Sequence, residues 1–137
     1  MSISKSATIY TDGGARGNPG PAGIGVVIRV GEKVHHFKEF IGHATNNQAE
    51  YRAVVLALEE AKKLGLTELH FMLDSELVVR QLRQEYKVKD AELGKLFVKI
   101  WNLSPTFKKI TYRHVPREQN CEADRLVNEA IDAGLGK

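Results

Sequence analysis

A single cysteine, Cys121, stands among 137 residues. With no partner it forms no internal disulfide, which excludes a disulfide-stapled scaffold and points to a reducing compartment. The opening MSISKSATIY lacks the apolar run of a secretory leader. No stretch nears the ~20 apolar residues of a membrane span. The expectation is a cytoplasmic protein with no membrane partner. Internal repeats, linkers and low-complexity tracts are also missing, so residues 1–137 are read as a single domain. What is present is ordinary: 42% hydrophobic and 27% charged residues match a soluble globular chain. At this length a domain buries ~65–70% of its unfolded surface and needs no covalent staple.

Net charge is only +3, but its distribution is uneven. Positive residues recur at Arg80, Arg83, Lys87, Lys89, Lys95 and Lys99, then at Lys108, Lys109, Arg113, Arg117 and Arg125. Such a series fits an anionic polymer, whose phosphates supply most of the affinity. Solvated helix faces produce the same series. The glycine-rich GGARGNPGPAG at residues 13–23 is not a Walker loop, because no Gly-Lys-Ser/Thr follows and no helix opens there. Cys121 lacks a histidine at nucleophile spacing and reads as a small residue at a helix start.

Periodicity divides the chain into nine elements. ATIYTD (residues 7–12) reads as a strand stopped by the turn-rich segment after it. GIGVVIRV (residues 23–30) and a segment from about Val34 to Ile41 complete a three-strand meander. A helix follows, with Asn47 as its cap and Glu50 at capping-box spacing. Val54, Ala57, Leu58, Ala61 and Leu64 form its apolar stripe, and Gly65 ends it. LHFML (residues 69–73) reads as a strand covered on both faces. Asp74 could cap the next helix, which contains Leu77, Val78 and Leu82. After a polar break, Leu93, Leu96, Phe97, Ile100 and Trp101 form another stripe. ITYRHV (residues 110–115) is a fifth strand, and a last helix from about Asn120 buries Ala123, Leu126, Val127, Ala130 and Ile131. The order β-β-β-α-β-α-α-β-α implies an α/β fold: a five-stranded mixed sheet, the meander antiparallel and two further strands parallel, with helices on both faces. Ligands of such sheets bind beyond the carboxyl ends of strands.

Four carboxylates, Asp12, Glu50, Asp74 and Asp124, fall where strands pass into helices or turns. Each has a structural alternative. Asp12-Gly13 resembles a turn, Glu50 completes a capping box, Asp74 is a helix cap, and Asp124 offsets a helix dipole. Glu50 fits its alternative least well, because it shares the apolar face of Val54 and Ala57 and needs a partner there. Were the four to converge, each pair ~4 Å apart would repel by roughly 4 kcal/mol at an effective dielectric of 20. They would then bind protons or cations.

The segments around these acids carry a resemblance. Thr11-Asp12-Gly13-Gly14 with Gly17-Asn18-Pro19-Gly20-Pro21, then Thr45-Asn46-Asn47-Gln48-Ala49-Glu50, Leu73-Asp74-Ser75 and Cys121-Glu122-Ala123-Asp124, resemble type 1 ribonuclease H in order and spacing. The resemblance runs from about Ala7 to Ala130. It implies a ribonuclease H-like fold and an endonuclease that cuts the RNA strand of RNA–DNA hybrids, leaving 5′-phosphate and 3′-hydroxyl ends. It also implies that Asp12, Glu50, Asp74 and Asp124 hold two Mg²⁺ or Mn²⁺ ions, a choice that hard oxygen ligands favour.

His114, ten residues before Asp124, matches the family's auxiliary histidine; as a strand-end residue it could equally face the sheet edge. Asn18, Thr45 and Asn46 match positions that hold nucleic acid. Glu76 stands where many bacterial relatives carry a substrate-contacting glutamine. The basic protrusion that some relatives insert after the third acid is missing. No residues are left over for a separate hybrid-binding domain, so processive cutting is not expected. A monomer is the expected state. The competing reading is a hybrid- or duplex-RNA-binding protein of this fold with weak or altered nuclease activity.

Overall fold

The structure is a computed structural model that describes residues 5–137. Its elements are β1 (Ser6–Ala15), β2 (Gly20–Val30), β3 (Lys33–Ala44), α1 (Asn46–Lys63), β4 (Glu68–Leu73), α2 (Glu76–Leu82), α3 (Ala91–Leu103), β5 (Lys109–His114) and α4 (Cys121–Gly134). Short 3-10 turns at Ser104–Thr106 and Arg117–Gln119 precede β5 and α4 respectively. The sheet order is β3-β2-β1-β4-β5. β1–β2 and β2–β3 are antiparallel, and β1–β4 and β4–β5 are parallel. This is the expected order and sheet.

Several local expectations are corrected. β1 does not turn at Asp12-Gly13: it continues to Ala15, pairing Asp12 with Gly25, Gly13 with Ile24 and Ala15 with Ala22. The glycine there answers to packing. A Cβ on Gly13 would lie 2.2 Å from the Ala49 carbonyl carbon, so α1 seats directly on the strand. Gly25 plays the same part on the opposite face, where a Cβ would lie 2.4 Å from the Ala123 carbonyl oxygen of α4. β2 and β3 likewise run longer than expected, to a close at Val30↔Lys33 and a far end at Gly20↔Ala44.

The α1 cap is Thr45 and not Asn47. Its Oγ1 accepts from the Gln48 N–H at 3.1 Å, and Gln48 Oε1 accepts from the Thr45 N–H at 2.9 Å. Glutamine serves the capping box as well as glutamate does, which leaves Glu50 free. α2 is capped by Ser75, whose Oγ accepts from the Val78 N–H at 3.3 Å, so Asp74 is not the cap either. The other helix end agrees with expectation, with Gly65 at φ +70 just past α1.

α1 covers one face of the sheet with α3 packed against α1, and α4 covers β1, β2 and β3 on the other. The main core lies under α1, where Ile9, Ile28, Tyr51, Leu58, Leu69, Phe71 and Leu73 are fully buried. Each such side chain contributes roughly 1.5–3 kcal/mol. α4 stops short of β4, so that strand is not covered on both faces. Leu69, Phe71 and Leu73 are buried while His70 and Met72 are half-buried. His70 Nδ1 settles 2.9 Å from Thr111 Oγ1. The α3 stripe is also narrower than its periodicity suggests: Leu93 and Ile100 are buried, whereas Trp101 is 55% exposed.

Candidate functional site

The site begins with a difference in strand length. β1 pairs with β4 only as far as Tyr10↔Met72, yet it continues to Ala15. Beyond that point three backbone groups of β1 are taken by side chains. Asn120 Nδ2 donates to the Thr11 carbonyl at 2.8 Å, Gly13 N–H donates to Glu50 Oε1 at 3.0 Å, and Ala15 N–H donates to Asn46 Oδ1 at 2.8 Å. Buried backbone groups need such partners. They draw the starts of α1 and α4 onto the end of β1, where a cavity of about 430 Å³ opens.

All four acids line it, from β1 (Asp12), α1 (Glu50), the end of β4 (Asp74) and the first turn of α4 (Asp124). Asp12, Glu50 and Asp74 each offer an oxygen, and these oxygens lie within 4.8 Å of one another. Asp12 and Glu50 are buried, Asp74 is half-buried and Asp124 is exposed. Asn120, itself buried, also donates to Asp74 Oδ2 at 3.0 Å and so ties β1, β4 and α4 together. The Tyr51 hydroxyl donates to Gln81 Oε1 at 2.7 Å and fixes α2 against α1 behind the acids.

Electrostatics follow from that burial. The Asp12 carboxyl is pushed up to about 7, chiefly by desolvation and then by the charges of Asp74 and Asp124, against the lowering effect of Glu50. Glu50 is driven well above the usual carboxylate range, first by burial and then by Asp12. Without a cation, burial and mutual repulsion favour the protonated forms of this pair. Glu50 Oε2 is buried and has no hydrogen-bond partner among the described residues. A buried, unpartnered carboxylate oxygen beside two further acids suits a hard divalent cation.

The remaining expected residues divide. Asn46 lines the cavity, and its N–H donates to Asn18 Oδ1 at 3.0 Å, so Asn18 holds the start of α1 from outside the cavity. Thr45 is spent as the helix cap. Glu76 does not line the cavity; it is exposed and pairs with Arg80 at 3.0 Å. His114 also lies outside the lining. It is the last residue of β5, exposed, and held opposite Leu73 by the sheet register. The side chain that reaches the wall from this region is Arg117, on the 3-10 turn after β5.

Arg117 entered the sequence reading only as one of a series of cations, and Asn120 only as a helix start. The signal for both is their position in the run from Pro116 to Asp124, which leads into a site acid. Of the basic series, Arg80, Arg83, Lys95 and Arg125 are engaged with glutamates of the chain itself. Among the described residues Lys87, Lys89, Lys99, Lys108, Lys109, Arg113 and Arg117 form no such pair.

Residues 10–130 match the family model described as "Reverse transcriptase-like". The chain is 48% identical over 128 residues to the bifunctional protein Rv2228c of Mycobacterium tuberculosis, covering 91% of this chain and 35% of that protein. The chain thus spans about a third of that relative. The solved N-terminal RNase H domain of Rv2228c superposes with a TM-score of 0.93 at 46% identity, over 97% of this chain and 98% of that one. Ribonuclease HI of Halobacterium salinarum is 42% identical over 125 residues, covering 90% of this chain and 63% of that protein. LC11-RNase H1, solved in complex with an RNA/DNA hybrid, superposes with a TM-score of 0.90 at 47% identity, over 94% of this chain and 99% of that one.

Proposed function

The chain belongs to the ribonuclease H family, and from that premise we propose that it hydrolyses the RNA strand of RNA–DNA hybrids, leaving 5′-phosphate and 3′-hydroxyl ends. The observation that carries the reading is the convergence of Asp12, Glu50, Asp74 and Asp124, from four separate elements, on one cavity. A binding module gains nothing from two buried carboxylates that repel, whereas a metal-dependent nuclease requires them.

Asp12, Glu50 and Asp74 form the rigid ligand set, since burial and the Gly13 and Asn120 hydrogen bonds fix their carboxylates. Asp124, exposed at the start of α4, is the adjustable fourth ligand. These four carboxylates would hold two Mg²⁺ or Mn²⁺ ions, which would supply water activation and stabilisation of the leaving oxygen. Arg117 offers the one cation on the cavity wall not engaged by a carboxylate among the described residues, and it neutralises the scissile phosphate. Asn18 and Asn46, hydrogen-bonded to each other at the start of α1 beside the capping Thr45, form a polar edge suited to sugar and phosphate contacts. His114 serves at most from outside the cavity. All four acids come from one chain, so a monomer suffices. No helix among the described residues is long and apolar enough to cross a membrane, and the exposed thiol of Cys121 suits the cytoplasm.

The test is a labelled substrate set of hybrid, duplex RNA and duplex DNA with Mg²⁺ or Mn²⁺. The hybrid's RNA strand is expected to be cut, and chelation is expected to silence the cutting reversibly. Asp74→Asn is expected to abolish cutting while leaving hybrid affinity within a few-fold. Wild-type rates from that variant, or binding without cutting by the unaltered protein, would overturn the mechanism.

A further inference from the structure

A second feature lies away from the acids, along the outer edge of β5. Trp101 of α3 is 55% exposed although it continues that helix's apolar stripe. Its ring stacks on Phe97, with centroids 6.4 Å apart and planes at 23°, so the indole is held and not loose. Cavities of about 650 and 280 Å³ flank it and share Trp101, Ser104 and Ile110 as a common wall. Arg83 and Arg113 line the larger and Lys108 and Lys109 the smaller, while no Asp or Glu lines either. Arg83 is engaged by Glu85 at 3.0 Å. Lys108, Lys109 and Arg113 have no carboxylate within salt-bridge distance among the described residues.

We propose that this groove binds a single-stranded nucleic-acid tail, with Trp101 as its stacking platform. An apolar trough rimmed by unneutralised cations and free of acids selects a polyanion that also presents flat apolar faces. Unpaired bases have such faces available, whereas a duplex hides them in its own stack. The groove also runs toward the acids. β5 carries Arg113 and then His114, which sits opposite Leu73, the residue before Asp74. From Lys108 to Arg113 the chain extends roughly 17 Å at ~3.3 Å per residue. An unpaired extension leaving the acid cavity over the ends of β4 and β5 would follow this path. The inference rests on the hybrid-nuclease reading only for the source of the strand.

Trp101 is the sole tryptophan of the chain, so its emission reports the groove directly. With metal chelated and at low salt, short oligothymidylate and oligouridylate are titrated into the full chain. Emission is expected to fall twofold or more at saturation and to recover as salt rises. The two strands separate a DNA tail from an RNA tail. Stacking on one aromatic is worth roughly 5- to 150-fold in affinity, so a hybrid with a single-stranded overhang should bind that much more tightly than a blunt one. Trp101→Ala is expected to erase the difference and leave blunt-hybrid cutting unchanged. A Lys108→Glu, Lys109→Glu double variant, altering exposed side chains only, should do the same. Emission unmoved by either strand would overturn the proposal, as would variants that weaken blunt and tailed hybrids equally. Emission that changes with protein concentration alone, together with a sedimenting dimer, would assign the groove to a second copy and overturn it too. Failure to cut a blunt hybrid would count against the nuclease reading and not against the groove.

Discussion

Replacing Asp12 by Asn is expected to stabilise the metal-free protein while abolishing cleavage. Asp12 is 8% exposed, and its carboxyl is pushed from 3.8 up to about 7, chiefly by burial. A carboxyl raised in the folded state binds its proton more tightly there than when unfolded. The folded form is therefore favoured below the unfolded value and loses stability as pH rises from about 4 to about 7. At 1.36 kcal/mol per pH unit, that interval amounts to about 4 kcal/mol of stability given up by pH 7.5. The neutral, nearly isosteric Asn has no charge to desolvate and escapes the penalty. For a domain of this size the gain raises Tm by roughly 10–15 °C.

The assay is thermal unfolding in chelator between pH 4.5 and 7.5. Glu122 and Glu129, whose carboxyls are lowered by His36 and Lys38 respectively, add stability as pH rises and so cannot produce a decline. The unaltered protein should lose stability across the interval, and Asp12→Asn should show a flatter profile. Saturating Mg²⁺ should recover most of the loss in the unaltered protein and little in the variant. A variant less stable than the unaltered protein at pH 7.5, or an unaltered protein with no decline across the interval, would refute the reasoning.

Two further outcomes concern residues that the sequence reading passed over. Asn120→Ala leaves the Thr11 carbonyl and the Asp74 carboxylate without their buried donor, so it is expected to cost ~1–3 kcal/mol in denaturant unfolding and to raise the Mg²⁺ concentration needed for half-maximal cutting. Arg117→Ala is expected to lower cutting at least tenfold and to reduce the salt slope of hybrid binding by about one phosphate contact. His114→Ala, outside the cavity, should stay within about threefold of the unaltered rate; the reverse ranking of the two variants in one kinetic assay would reassign the auxiliary role to the histidine.

Much of this molecule is legible along the chain because short-range physics writes it there. The apolar stripe of α1 and that of α4 are read correctly, since each buries one helix face. Errors gather where two local explanations compete. Asn47 and Asp74 are good caps by residue type, yet Thr45 and Ser75, each also a good cap, take those places. Gly13 looks like a turn because glycine permits one. It is an extended residue stripped of its side chain so that Ala49 can approach. Trp101 counts as part of the apolar stripe by spacing, but it lies on the outer side of α3, which no described residue covers.

Residue type and order alone determine which acids this chain has and which elements carry them, because a carboxylate's neighbours and a helix's period are local properties. Whether those acids meet is not local. It depends on β1 outrunning β4, so that Thr11, Gly13 and Ala15 turn to Asn120, Glu50 and Asn46 for hydrogen bonds. The same packing decides that Arg117 and not His114 faces the cavity, because register pins β5 to Leu73 and the turn after it swings inward. Burial then supplies what no spacing encodes: an Asp12 carboxyl raised to about 7 and a Glu50 carboxyl driven well above the usual carboxylate range.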